Sequence, residues 1–147
     1  MEMNTNNIVP RIGLGTYNMN SQEAEEMTYA AIEYGYRHID TAAVYRNEDG
    51  VGAALRKIFA DTDLKRSDLT ITTKLWPGGL VKVDRVKNKE GTIKSLDKSL
   101  RNLDLDFVDL YLIHSPHAKN KRLDQWETLL SQQEQNKVKK IGVSNWG

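Results

Sequence analysis

The chain has 147 residues, with 21 Lys and Arg against 20 Asp and Glu, three His and no Cys. Its balanced charge argues against nucleic acid as a partner, because proteins that bind phosphate backbones concentrate Lys and Arg on one face. The absence of Cys excludes disulfides, thiolate nucleophiles and Cys-based zinc sites. The length suits one ordinary domain with a substantial core.

The opening residues and the longest apolar run bear on targeting. Residues 1–9 have neither a basic start nor an apolar segment, so they predict a flexible tail rather than a secretory signal. The densest apolar run, residues 110–113, is far shorter than the ~18 residues that a membrane helix needs. We therefore expect a cytoplasmic protein without a membrane partner, whose folded domain covers residues 10–147.

Strand and helix signals alternate along the chain. In chain order, the predicted strands are residues 12–14, 37–40, 69–74, 107–113 and 138–143. The last four end roughly 30–40 residues apart, a spacing that suits successive βαβ units. This alternation predicts an α/β fold with a parallel sheet and right-handed crossovers.

The four segments between these strands carry apolar residues at helical spacing. The first helix is expected to begin at the N-cap Ser21 and to stop at Gly35. The second follows Asn47, and the fourth lies behind Asp124, whose spacing to Glu127 resembles a capping box. The expected core stripes are, in chain order, Met27, Ala30, Ala31 and Tyr34; Val51, Ala54, Leu55 and Ile58; Ile93, Leu96, Leu100 and Leu103; and Trp126, Leu129 and Leu130.

Three successive predicted strands end in side chains that can do chemistry. Asp40, Lys74 and His114 stand at these ends, and Tyr45 follows Asp40 in the next loop. Because the carboxyl ends of parallel strands meet at one edge, we expect these four side chains to converge. Taken alone, Asp40 is equally read as a loop cap, Lys74 as a solvated strand end and Tyr45 as a packing residue.

Together, the four groups suit the reduction of a carbonyl. An ammonium beside a phenol favours the phenolate, and a carboxylate paired with the ammonium holds it in place. An imidazole can donate a hydrogen bond to the substrate oxygen. No side chain is an obvious nucleophile, so the attacking species is expected to be a hydride from a bound cofactor.

Six runs of the sequence, in order, resemble the aldo-keto reductases. They are RIGLGTY at 11–17, GYRHIDTA at 35–42, YRNE at 45–48, TKLW at 73–76, DLYLIH at 109–114 and IGVSN at 141–145. The resemblance covers residues 10–147 and implies a (β/α)8 TIM barrel. This sequence supplies about five parallel strands and four helices of it, so a partial barrel is expected.

The resemblance also implies a reaction and its residues. Asp40, Tyr45, Lys74 and His114 match the family's catalytic tetrad, with Tyr45 giving the proton to an aldehyde or ketone and NADPH, or else NADH, giving the hydride. The lone Gly13-Leu14-Gly15 never completes G-x-G-x-x-G, which excludes a Rossmann site. Cofactor contacts are implied for Gly15, Thr16, Tyr17, Asp40, Ser144 and Asn145, and substrate contacts for Tyr17, Trp76 and His114.

Other polar residues are assigned no catalytic role. His38 and His117 are interpreted as loop residues or as residues that lie behind the site without touching a ligand. Ser115 stands where many family members carry an aromatic side chain. The acidic residues Asp104, Asp106 and Asp109 lack a His companion and a regular ligand spacing. They predict a solvated turn, and no metal site is expected.

Five strands of an expected eight suggest a truncated chain, and three hypotheses follow. The chain is a carbonyl reductase, or a non-catalytic remnant that serves as a regulatory or binding partner, or a homo-oligomer that completes a barrel from two partial ones. Open sheet edges favour pairing with other chains. Marginal stability and self-association through these edges are therefore expected.

Overall fold

A computed structural model describes residues 9–147, so all but the last residue of the predicted tail lies outside the described residues. Three single-turn 3-10 helices lie in the loops, at Ala43–Tyr45, Arg66–Asp68 and Lys119–Lys121. The strands are β1 (Leu14–Gly15), β2 (His38–Asp40), β3 (Thr70–Leu75), β4 (Val108–Ile113) and β5 (Val138–Val143), and the helices are α1 (Ser21–Glu33), α2 (Glu48–Asp61), α3 (Lys89–Leu103) and α4 (Arg122–Glu134).

The five strands form one sheet in the order β1-β2-β3-β4-β5, and every neighbouring pair is parallel. Asp40 pairs with Thr72, and Lys74 pairs with Leu112. The predicted α/β fold with a parallel sheet is therefore confirmed. All five strands present their carboxyl ends at the same edge, which is where the predicted site residues stand.

Two of the predicted helix starts are wrong. Asn20, rather than Ser21, caps α1: its side chain accepts from the Glu23 backbone N–H at 3.0 Å, and the Glu23 carboxylate accepts from the Asn20 N–H at 2.8 Å. The Ser21 hydroxyl instead donates to Asp49 at 2.7 Å. Helix α4 begins at Arg122, so Asp124 lies within the first turn and is no N-cap.

The core lies between the sheet and the helices. The α2 stripe is fully buried as predicted, whereas the α1 stripe is wrong in part, because Met27 and Tyr34 are exposed and Ala31 is buried. Helix α1 also buries Ala24, Thr28 and Ile32, which the predicted stripe did not include. A Cβ at Gly50 of α2 would lie 1.9 Å from the Ser21 carbonyl oxygen, so the start of α1 runs very close to α2. A close approach of this kind favours small side chains on the packed face.

The predicted stripe of α4 is only partly buried. Leu130 is exposed, whereas the polar Gln125 is buried and donates to the carbonyls of Pro77 and Lys87 at 3.0 and 2.9 Å. The buried Gln125 side chain thus fixes the loop before α3 to helix α4.

Among residues 9–147, no helix combines the length and the apolar character that a membrane span requires.

Candidate active site at the carboxyl ends of the strands

Lys74 is the most firmly held of the predicted catalytic residues. It follows three buried residues of β3 and is itself almost completely buried. Its ammonium donates to the Asp40 carboxylate and, at 2.9 Å, to the carbonyl of Thr41. Because β2 and β3 are in register, the strand ends bring these partners together, and the ammonium has one fixed position.

Tyr45 is placed beside this ion pair by a short turn. It ends the single-turn helix Ala43–Tyr45, and Arg46 then adopts a left-handed backbone conformation with φ 58°. The Lys74 ammonium lies 5.2 Å from the centroid of the Tyr45 ring. The phenol ring therefore lies within the field of a buried cation.

His114 completes the group, directly after β4. Its ring meets the Tyr45 ring edge-on, with centroids 5.6 Å apart, and meets the Trp76 ring in the same way at 5.9 Å. Its backbone N–H donates to the Leu75 carbonyl at 2.9 Å, which continues the sheet pairing by one residue. Asp40, Tyr45, Lys74 and His114 thus lie together, and we name them the strand-end cluster.

The protonation of His114 follows from its surroundings. Burial lowers the pKa of His114, the Lys74 cation lowers it further, and the Asp40 carboxylate acts in the opposite direction. The imidazole is therefore neutral at pH 7 and has one N–H to donate. Its Nδ1 is buried and has no partner within the described part of the chain.

The residues after β1 contribute differently. The exposed Tyr17 ring packs on the Tyr45 ring, with centroids 5.2 Å apart, so Tyr17 borders the strand-end cluster. Gly15 has open space where a Cβ would stand. Thr16 is fully buried, and its hydroxyl donates to the Thr41 hydroxyl at 2.9 Å. The Thr16 side chain therefore joins the segment after β1 to the segment after β2.

Asn47 was not predicted to act in the site, yet it joins two of its loops. The side chain is fully buried, its oxygen accepts from the Thr41 hydroxyl at 3.2 Å, and its nitrogen donates to the carbonyls of Thr16 and Met19 at 2.8 and 2.9 Å. The loops after β1 and β2 are thus fixed to each other. The only sign of this role in the sequence was that Asn47 belongs to the YRNE run at 45–48. An Asn that precedes a predicted helix looks the same in the sequence whether it caps the helix or joins two loops.

Trp76 forms one wall beside the cluster. Its indole N–H donates to Asp84 at 2.9 Å, and its carbonyl accepts from Lys87 at 2.6 Å. Its ring centroid also lies 6.1 Å from that of His117, whose Nδ1 is 2.6 Å from the Ser115 hydroxyl. His117 therefore lies in a loop and packs on the same wall, in agreement with its interpretation as a loop residue or one behind the site.

His38 lies in β2, inside the predicted strand 37–40, and its Nε2 is 2.9 Å from the Thr72 hydroxyl. Of its two interpretations, only that of a loop residue is wrong. The interpretation of Asp109 is also wrong. Asp109 lies in β4, with only 13% of its side chain exposed, and pairs with Arg66 at 2.6 Å and Lys139 at 3.0 Å. It is therefore no part of a solvated turn. Over residues 9–147, no group of three or more His, Asp or Glu has the geometry to hold a metal ion.

Ser144 and Asn145 follow β5 at the same edge of the sheet. The Asn145 amide N–H donates to the His114 carbonyl at 2.9 Å and to the Ser144 hydroxyl at 3.0 Å. Among residues 9–147, the Ser144 hydroxyl proton and the Asn145 side-chain oxygen have no hydrogen-bond partner, so both can interact with a ligand. One donor and one acceptor side by side match the needs of a primary carboxamide, the group that a nicotinamide carries, so these residues fit such a cofactor.

Comparison with known proteins shows which family the sequence matches. A model of the aldo/keto reductase family matches residues 11–147. The chain is 41% identical over 139 residues to a glyoxal reductase of Bacillus subtilis, a match that covers 94% of this chain and 46% of that protein. It is 41% identical over 140 residues to the methylglyoxal reductase DkgA of Yersinia pestis, covering 95% of this chain and 46% of that one.

Solved structures agree with these sequence matches. An aldo/keto reductase from Brucella melitensis superposes with a TM-score of 0.83 at 38% identity, over 95% of this chain and 50% of that one. A Bombyx mori aldo-keto reductase in complex with NADP superposes with a TM-score of 0.78 at 32% identity, over 97% and 49%. The chain spans about half the length of the relatives it matches, which confirms the expected partial barrel. The chain therefore belongs to the aldo/keto reductase family.

Proposed function

We propose that this chain carries the proton-transfer half of a carbonyl reductase, which reduces aldehydes or ketones to alcohols with NADPH, or alternatively NADH. The observation that carries the proposal is the strand-end cluster, in which a phenol, a buried ion pair and a neutral imidazole lie together. Physical chemistry assigns each of these groups a task in protonating a carbonyl oxygen.

Tyr45 is the proposed proton donor. Its ring lies beside the Lys74 ammonium, and that positive charge stabilises the phenolate that remains once the proton has left. Asp40 holds the ammonium in place and balances its charge inside the protein. In the reverse direction, the phenolate of Tyr45 takes the proton from an alcohol.

His114 is the proposed orienting residue. Its neutral ring, at the edge of the Tyr45 ring, can donate a hydrogen bond to the substrate oxygen and stabilise the negative charge that develops there. Trp76 and Tyr17 form the aromatic walls on either side. These walls border the reacting carbonyl on two sides, and Tyr17, which is 67% exposed, leaves the site open to solvent on its side.

The cofactor is assigned to the edge of the sheet where the carboxyl ends of the strands lie. A bound nicotinamide supplies the hydride for the carbonyl carbon. Ser144 and Asn145, after β5, would hold its carboxamide with the donor and acceptor described above, and Gly15, Tyr17 and Asp40, at the ends of β1 and β2, would provide the other contacts. Two relatives are named as reductases of glyoxal and methylglyoxal, and we propose small aldehydes of this kind as substrates.

The decisive experiment follows the oxidation of NADPH by methylglyoxal, with Tyr45→Phe compared with the unaltered chain. Loss of the phenolic proton is expected to lower kcat/KM by ~10²–10⁴. Tyr34→Phe is the matched control, because Tyr34 is 89% exposed at the end of α1 and is expected to leave the rate unchanged. Equal rates for Tyr45→Phe and the unaltered chain would refute the assignment. Absence of both turnover and NADPH binding would favour a non-catalytic binding role.

A further inference from the structure

A cleft of about 760 Å³ lies between α2 and α3, and no member of the strand-end cluster lines it. One wall is formed by the turn after β2 and the first residues of α2. The other wall is one face of α3, formed by residues 91, 94, 95, 98, 99 and 102. Pockets that bind small molecules have volumes of ~300–1,000 Å³, so this α2–α3 cleft is large enough for a ligand.

Cations outnumber carboxylates in the lining of the α2–α3 cleft. Its carboxylates are Glu48 and Asp49, and its cations are Arg46, Lys87, Lys94 and Lys98. The carboxylates already have partners: Glu48 accepts from the Thr73 hydroxyl at 2.6 Å, and Asp49 accepts from the Ser21 hydroxyl at 2.7 Å. Lys94 is paired with Glu90, which lies outside the lining, at 2.5 Å. The other three cations still outnumber the two carboxylates, so the cleft carries a positive charge that is complementary to an anion.

Several donors in the cleft have no partner to receive their hydrogen bonds. Within residues 9–147, the side chains of Arg46 and Lys98 form no ion pair or hydrogen bond. The Ser99 side chain lines the cleft, is fully buried, and its hydroxyl has no partner in the described part of the chain. A buried hydroxyl without a partner costs free energy, and a rotation of the Ser99 side chain toward the cleft would let a ligand oxygen accept its hydrogen bond.

Lys87 gives a second indication. Its ammonium is half-buried and donates to the Trp76 carbonyl at 2.6 Å, and burial lowers the pKa of Lys87 while Asp84 acts in the opposite direction. A cation whose charged form is disfavoured by burial gains stability from a neighbouring anion. The cleft thus holds one partly desolvated cation in addition to the two without partners.

We propose that the α2–α3 cleft binds a small anion that carries phosphate, with charge from Arg46 and Lys98 and a hydrogen bond from Ser99. Lys98 is a compact point charge and the Ser99 hydroxyl can rotate, so neither confines a ligand to one plane, and the Arg46 guanidinium can donate to two phosphate oxygens at once. Trp76 lines the cleft as well as the proposed reductase site. The proposal does not rest on the reductase function, because Arg46, Lys98 and Ser99 have no part in that reaction.

The test is a titration of the ¹⁵N-labelled chain with inorganic pyrophosphate at low ionic strength, without cofactor or substrate. Saturable shifts are expected at the backbone amides of residues 46–49 and 91–102. Arg46→Gln combined with Lys98→Gln is expected to weaken binding about tenfold, the size expected for losing two solvent-exposed charge contacts. Ser99→Ala alone is expected to weaken it about threefold.

Lys57→Gln is the matched control, because Lys57 lies on α2 outside the cleft and contacts Glu25 and the Tyr29 ring. It is expected to leave the affinity unchanged, and spectra of each variant verify its fold. Shifts that do not saturate, or an equal loss with Lys57→Gln, would overturn the proposal in favour of non-specific attraction. Malonate that bound as tightly as pyrophosphate would overturn the assignment to phosphate.

Discussion

The middle of the sheet and its β5 end differ in how their side chains are held. In the middle, Ile39, Ile71 and Leu75 are completely buried, and the Lys74 ammonium has two partners. At the β5 end, Val143 and Trp146 are 44% and 40% exposed. They border an apolar cavity of about 400 Å³ beside α4.

This difference separates two parts of the proposed reaction. Groups that move a proton must stand in one geometry, and the covered middle of the sheet supplies it. Ser144 and Asn145, proposed to hold the nicotinamide, stand at the other end of the sheet, where Asn145 is exposed and Ser144 is only partly buried. The chain is therefore best organised for proton transfer and less so for holding the hydride donor.

Removing the central cation is the largest expected effect. Lys74→Met takes the positive charge from the side of Tyr45 and leaves the Asp40 carboxylate without its ion-pair partner. We expect kcat/KM for aldehyde reduction to fall by ~10²–10³. Lys137→Met, which removes a half-exposed ion pair with Asp97, is the control and is expected to change the rate less than about twofold. Equal effects of the two variants would contradict the special role of the central pair.

Core truncations compare the stability of the two regions directly. Leu55→Ala opens a space in the fully buried stripe of α2 and is expected to lower the free energy of unfolding by ~2–5 kcal/mol. Leu123→Ala, at a residue 67% exposed beside the β5 cavity, is expected to cost less than about 0.5 kcal/mol. Urea denaturation measures both. A larger loss with Leu123→Ala would reverse the comparison.

The pH dependence of His114 sharpens the view of the middle region. Because folding lowers the pKa of His114, the unfolded chain binds this proton more readily. The stabilising contribution is present above the unfolded pKa of about 6.5 and is lost as the pH falls through the folded pKa. Proton NMR of the imidazole gives the folded value. Lys74→Met removes the smaller of the two causes that lower the pKa of His114, and burial, the larger cause, remains. The pKa of His114 in this variant is therefore expected to rise part of the way toward its ordinary value. An unchanged or lower pKa would contradict this.

Asn145 is the site of the smallest expected change. Its backbone is left-handed with φ 61°, and its side chain donates to the His114 carbonyl. Asn145→Gly loses the hydrogen bond but relieves the backbone strain, so the free energy of unfolding is expected to change by less than about 1 kcal/mol. Asn145→Ala keeps the strain and is expected to cost ~1–2 kcal/mol. Thermal unfolding compares the two, and equal losses would show that strain plays no part.

The strand positions were predictable because short apolar runs at regular intervals determine the sheet. Residues 138–143 were predicted without error, and the other strands lie within two residues of their predicted bounds. Asp40, Lys74 and His114 could be brought together from the sequence, since parallel strands end at one edge. Their convergence therefore followed from topology rather than from any single motif.

Features that depend on distant partners were missed. Asp109 was assigned to a solvated turn because its partner Arg66 lies 43 residues earlier in the chain. The buried face of α1 was misplaced because helical spacing does not reveal that α2 approaches so closely at Gly50. The role of Asn47 was missed for the same reason, because its side-chain amide meets the carbonyls of the other loop only when the chain is folded.

That buried amide has a consequence for protein engineering. Asn47 ties the loop after β1 to the loop that carries Tyr45, through the carbonyls of Thr16 and Met19. A loop transplanted from another barrel to replace residues 16–19 would meet the Asn47 amide with a different pattern of acceptors. The two loops therefore form one exchangeable unit, and a change of specificity designed into either has to keep the carbonyl positions of the other.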